Sequence, residues 1–114
     1  MTATDAAAPV VHLVDTIEVE PGDTDAYVEL VRELGVPVMT DAGASLVSCA
    51  ATSTELGERV LVQVVWGFDD HVQWNEIRMR MVLDRRWYEY GGRAAALRVG
   101  GTRRFFTPVA FSPA

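Results

Sequence analysis

The chain has 114 residues, 49% hydrophobic and 23% charged, with a formal net charge of -6. That length fits one domain able to bury a real core, and the wealth of β-branched and aromatic residues excludes wholesale disorder. The negative charge argues against general affinity for nucleic acid or an anionic membrane, and no apolar run approaches a membrane span. No secretory signal is legible at the start, so the expected compartment is cytoplasmic.

Absences narrow the chemistry. All ten basic residues are arginine. Schiff-base, pyridoxal and Walker-type phosphate-loop chemistry each need a lysine and are excluded. The single Cys49 can form neither an internal disulfide nor a cysteine cluster for zinc. His12 and His71 show no HExxH pattern, and no GxGxxG or GxSxG occurs, so metal and cofactor are both expected to be none.

Residues 1–9 read as a flexible N-terminal tail, and 10–114 as a single domain. Residues 10–19 alternate with period two, placing Val11, Leu13, Asp15, Ile17 and Val19 on one face of a first strand. Pro21-Gly22 stops it, and Asp23 or Thr24 caps a helix whose stripe is Tyr27, Leu30, Val31 and Leu34. Gly35 and Pro37 are expected to end that helix. A second strand spans 44–54, residues 55–58 form a hairpin turn, and RVLVQVVWGF at 59–68 is the third strand. Asp69 or Asp70 caps a helix from His71 to the Asp84 region, and a further helical stretch covers 87–98. Gly100-Gly101 breaks it, and TRRFFTPVAF is the last strand.

The order β-α-β-β-α-β predicts an α+β, ferredoxin-like fold: a four-stranded antiparallel sheet with the helices on one face. Val10, Val14, Val60, Val62, Val64, Trp66 and Phe106 read as a second apolar set, so both sheet faces look apolar. A large exposed apolar patch is rare on a monomer, which predicts a homodimer closed by sheet on sheet.

This architecture resembles the dimeric α/β-barrel superfamily and, within it, the NIPSNAP-like domains. The likeness rests on the step Val19-Glu20-Pro21-Gly22, the apolar third strand from Val62 to Trp66, and Asp84-Arg85-Arg86-Trp87. It covers about residues 10–111, and order and spacing carry it more than any single motif. Leu13 and Asp15 stand where that family often has Glu-x-Arg. The resemblance implies kinship with cofactor-independent monooxygenases, lactone isomerases, polyketide cyclases and haem-degrading enzymes. It does not select a reaction among them.

The residues themselves suggest a site. Asp15 lies on an apolar strand face, where a carboxylate needs a partner or a cavity; facing a cavity it is a candidate general base. The structural alternatives are pairing with an arginine, or a face that is partly wet at the sheet edge. His71, Asn75 and Arg78 fall along one side of the second helix and form a candidate acid-base and oxyanion row. Trp66, Trp74, Tyr88, Met81 and Tyr27 are candidate walls of an apolar ligand pocket. Cys49 lacks a basic neighbour, so an activated thiolate is not expected. The Arg85-Arg86 and Arg103-Arg104 doublets are expected to answer carboxylates.

The expected function is proton transfer (isomerisation, cyclisation or ring opening) on an apolar ketone, lactone or polyketide-like metabolite without an organic cofactor. The alternatives are a non-catalytic dimer that binds a hydrophobic ligand or scaffolds a partner, and a cofactor-independent monooxygenase.

Overall fold

The computed structural model describes residues 11–53 and 58–109. The predicted tail, the Val10 start of the first strand, the turn at 55–57 and the end of TRRFFTPVAF lie outside the described residues.

Strand β1 (Val11–Val19) pairs antiparallel with β3 (Val60–Phe68) on one side and β4 (Arg98–Phe106) on the other. β2 (Ser45–Ala51) pairs antiparallel with β3, so the sheet order is β2-β3-β1-β4. This is the ferredoxin-like arrangement. No helix among the described residues is long and apolar enough to cross a membrane.

Register assigns the sheet faces. Val11, Leu13, Asp15, Ile17 and Val19 stand opposite Phe68, Trp66, Val64, Val62 and Val60, and directly opposed residues share a face. All of these except Asp15 are buried, and they form one core with Leu30, Met39 and Ile77 from the helices. Val60, Val62, Val64 and Trp66 therefore belong to the helix-covered face, not to a second apolar set. The other face carries Val14, Leu61, Val65 and Phe106 beside His12, Thr16, Gln63 and Arg104. It is mixed, not uniformly apolar.

The first helical column is longer than expected. Pro21–Asp23 form a single 3₁₀ turn, where the proline lacks only an N–H that a helix start leaves unpaired. Helix α1 (Thr24–Leu30) continues through a π turn (Val31–Gly35) into α2 (Val36–Ala42). Gly35 and Pro37 do not end it. The proline falls in the first turn of α2, just after the π turn has already interrupted the hydrogen-bond ladder. At Gly35 a Cβ would lie 3.0 Å from Tyr90 Cζ, so the glycine is explained by the ring packed on it. The column ends at Gly43, with φ 116°, whose N–H reaches the Thr40 carbonyl while the Ala44 N–H reaches Met39. That is a Schellman stop, closed by Ala44 on Met39.

Asp70 caps α3 (His71–Met81) by accepting from the Gln73 N–H at 2.8 Å. Asp84 caps α4 (Arg85–Leu97) through the Arg86 N–H at 2.9 Å. Arg86 also spans to Asp41 of α2 at 2.8 Å, tying the start of α4 to the first helical column. On α3 the Ile77 and Met81 side is buried, whereas Val72 and Met79, and Leu83 just beyond its end, are exposed. Only one of its two apolar sides is packed.

Gly100-Gly101 does not break the helix before the last strand; both glycines lie within β4. The helix ends without them, at Leu97, because Arg98 already adopts extended backbone.

Candidate functional site

Between α4, the start of β4 and the middle of β1 lies a cavity of about 840 Å³. Its walls are Tyr27 from α1, Trp87, Tyr88 and Tyr90 from α4, and Ile17 from β1. Arg98, Val99, Gly101 and Arg103 of β4 complete it around Asp15. Gly91 and Gly92 also line it, and a Cβ at either would meet nothing within 4 Å. Glycine inside a helix costs up to about 1 kcal/mol relative to alanine, so these two trade helix stability for open volume.

Asp15 is the polar centre. Its side chain is 13% exposed and opposes Arg103 across the β1–β4 register. Arg103 grips it bidentately, Nε to Oδ1 at 2.7 Å and the terminal Nη2 to Oδ2 at 3.0 Å. From the other side the Trp66 indole N–H donates to Oδ2 at 3.3 Å. A carboxylate offers about four lone-pair positions, and three are used here, which leaves Oδ1 a free lone pair. Burial opposes the charge of Arg103, but the adjacent carboxylate more than offsets this and its pKa is raised.

Two phenols stand nearby. Burial, followed by the adjoining Tyr27 phenol, pushes Tyr90 above the usual tyrosine range. Burial also raises Tyr27, while its contact with Tyr90 works in the opposite direction. Both therefore remain hydroxyl donors at neutral pH. The consequence for stability has a definite sign. A phenol that holds its proton longer in the folded state contributes fully below about pH 10, and that contribution fades as pH rises further, because the unfolded chain ionises first. Denaturation at several pH values should show stability falling above pH 10. Tyr90→Phe should flatten that decline by about 1.4 kcal/mol per pH unit; an unchanged slope would mean that the phenol is not held protonated by its surroundings.

The sequence-predicted residues divide. Asp15, Tyr27 and Tyr88 line the cavity, and Trp66, 1% exposed, supports Asp15 from behind. Trp74 and Met81 do not line it. Trp74 stacks on Phe68 with centroids 5.5 Å apart and meets Phe105 edge-on, while Met81 is core. His71, Asn75 and Arg78 lie exposed on α3, outside the cavity. Arg78 donates to Asn75 at 3.3 Å, and His71 rests edge-on against Phe105, so the row is not brought to Asp15. His12 lies on the open sheet face. Burial raises the Cys49 thiol pKa, which keeps it protonated.

Tyr90, Trp87 and Arg98 were not among the expected site residues, and Arg103 was expected only to answer a carboxylate. The spacing of Asp15 and Arg103 signals nothing, since 88 residues separate them. Among the described residues no group of three or more His, Cys, Asp and Glu side chains is arranged to hold a metal ion.

Comparison with solved structures finds the same architecture. An uncharacterized NIPSNAP domain protein from Burkholderia xenovorans superposes with a TM-score of 0.74 at 20% identity, covering 91% of this chain and 99% of that one. A NIPSNAP family protein from Agrobacterium tumefaciens gives 0.75 at 23% identity, covering 92% and 90%. More distant, at a TM-score of 0.57 and 11% identity, is a candidate antibiotic biosynthesis monooxygenase from Caulobacter crescentus, with 89% and 91% covered. No curated protein matches. The NIPSNAP family model matches residues 14–113, nearly the whole chain, and the chain belongs to that family.

Proposed function

We propose that the cavity binds a small, largely apolar carbonyl compound and that Asp15 moves a proton on it. The observation that carries this reading is the Asp15–Arg103 pair set among aromatic walls in a cavity of about 840 Å³. In the step envisaged, the free lone pair of Asp15 Oδ1 takes a proton from the carbon beside the carbonyl. The C–H electron pair forms the enolate, whose oxygen is met by Arg103 and the Tyr27 hydroxyl. Return of the proton to another carbon is isomerisation; attack of the enolate on a second carbonyl is cyclisation. An ester carbonyl in the same position makes lactones candidates, and no organic cofactor is needed for any of these steps.

The active unit on this reading is a homodimer. Leu61 and Phe106, both exposed on the open sheet face, support it, with Phe106 about half exposed. Two other readings stay in view. Three of the four acceptor positions on Asp15 are occupied, which favours a binder that holds a hydrophobic metabolite without turning it over. Aromatic walls and the fold shared with the Caulobacter protein favour oxygenation.

Proton NMR in D₂O separates the three. Aryl ketones and lactones, led by 2-acetonaphthone, should exchange deuterium beside the carbonyl only with enzyme present. Asp15→Asn should reduce exchange by at least about 100-fold, the usual worth of a positioned base, while His71→Ala leaves it intact. Bound ketone without exchange would hand the case to the binder, and oxygen uptake to the oxygenase.

A further inference from the structure

The register of β4 contains an irregularity whose effect falls on the cavity. From Phe106 back to Gly100, β4 pairs residue by residue with β1, ending at Glu18 opposite Gly100. The next pair is Val19 opposite Arg98, so Val99 is an extra residue, a β-bulge. Val19 is fully buried on the helix-covered face. Without the bulge, Val99 would stand opposite Val19, and alternation would turn Arg98 to the open face. With it, Arg98 shares the side of Gly101 and Arg103 and lines the cavity.

The charges there do not balance. Arg98, Arg103 and Asp15 are the ionised side chains of the lining, and Asp15 is matched by Arg103. Arg98 forms no ion pair among the described residues. Its charge acts on the Tyr27 phenol, against the larger effect of burial. Between the two arginines stands Gly101, which contributes no side chain and against whose backbone Thr16 and Ile17 of β1 pack closely. In a chain of net charge -6, an unmatched guanidinium beside an aromatic cavity is a feature that a ligand of opposite charge would complete.

We propose that Arg98 is a ligand-binding residue that selects carboxylate-bearing substrates, its position set by the Val99 bulge. This rests on the cavity reading above and narrows its substrate class to apolar oxo-acids, with the carboxylate on Arg98 and the reacting carbonyl towards Asp15. The apolar body lies between, against Trp87 and Tyr88. Arg98 binds and orients; it takes no part in moving the proton.

A matched probe pair tests this. Isothermal titration calorimetry measures 2-naphthoate, an anion, and 2-acetonaphthone, a neutral ketone of the same ring, against wild type, Arg98→Met and Gly92→Leu. Arg98→Met keeps the stem and removes the charge at an exposed strand end, so it folds. The expected result is that naphthoate binds more tightly than the ketone, loses about tenfold in Arg98→Met, and that the ketone changes little. Gly92→Leu, which fills the cavity, should weaken both. Equal loss of both probes in Arg98→Met, or no preference for naphthoate, overturns the role of Arg98 while the cavity reading stands. Binding of both probes that is untouched by Gly92→Leu, or no binding of either to wild type, overturns the cavity reading and this inference with it.

Discussion

Replacing Arg103 with methionine is expected to destabilise the fold by about 2 kcal/mol. The side chain it abandons, Asp15, is 13% exposed and would retain a single protein donor, the Trp66 N–H at 3.3 Å. Breaking a fully buried pair costs more than this, but the Arg103 side chain is 42% exposed, so water takes up part of the loss. The converse change should be milder. Asp15→Asn leaves a guanidinium that can turn towards solvent, and an amide oxygen can still accept from Trp66. About 1 kcal/mol is expected. The double variant Asp15→Leu, Arg103→Met removes the charge and the need for its partner together. Its cost should fall below the sum of the single Asp15→Leu and Arg103→Met costs, because contacting residues couple. Urea denaturation of wild type, these two single variants and the double variant measures the coupling. Simple additivity would mean that the two side chains stabilise the fold independently, and the polar centre of the cavity would lose its structural basis.

Gly101→Ala should cost a similar amount, on the order of 2 kcal/mol, for an unrelated reason. A Cβ there would sit 2.8 Å from the Thr16 carbonyl oxygen and 3.1 Å from Ile17 Cδ1. The isoleucine tip can rotate away. The Thr16 oxygen cannot, since it belongs to β1, held between β3 and β4. The edge strand β4 must therefore move outward, carrying Arg103, two residues on, away from Asp15. Ligand binding should weaken along with stability. Gly91→Ala is the control: it meets open space and should gain up to about 1 kcal/mol of helix propensity. Thermal melts of both variants decide the matter. An unchanged melting temperature for Gly101→Ala would mean that β4 can drift from β1 freely, and that the close approach does not require glycine.

These two expectations also show what membership of the family leaves open. The NIPSNAP structures that superpose on 90–94% of the chain do so at 17–23% identity, which establishes a shared fold and no shared reaction. The chemistry has to be read from this chain's own side chains, and here that means Asp15, Arg103, Arg98 and the two phenols.

Much of this was legible along the chain. Period-two alternation placed β1, a continuous apolar run placed β3, and Asp69 or Asp70 marked the start of α3, because these signals are local: they depend on neighbours within one turn or one pleat. Asp15 also stood out, as a carboxylate on an apolar face. Where the linear reading failed, a longer-range contact had overridden a local preference. Gly35 and Pro37 look like a helix stop, yet the π turn and the Tyr90 ring carry the column on to Ala42. Gly100-Gly101 looks like a break, yet close packing on Thr16 makes it strand.

The sequence by itself determined the element order, the fold class and the presence of one anomalous carboxylate, since each follows from local periodicity, while the resemblance to NIPSNAP-like domains rests on short motifs and their order. Tertiary structure alone decided what that carboxylate meets. Whether Asp15 faces Arg103, and whether Arg98 faces the cavity, depends on the pairing register of β1 with β4 and on one bulged residue within it. Register is an energy shared between strands more than eighty positions apart, and a shift of one residue reverses every side chain, so no local pattern in either strand encodes it.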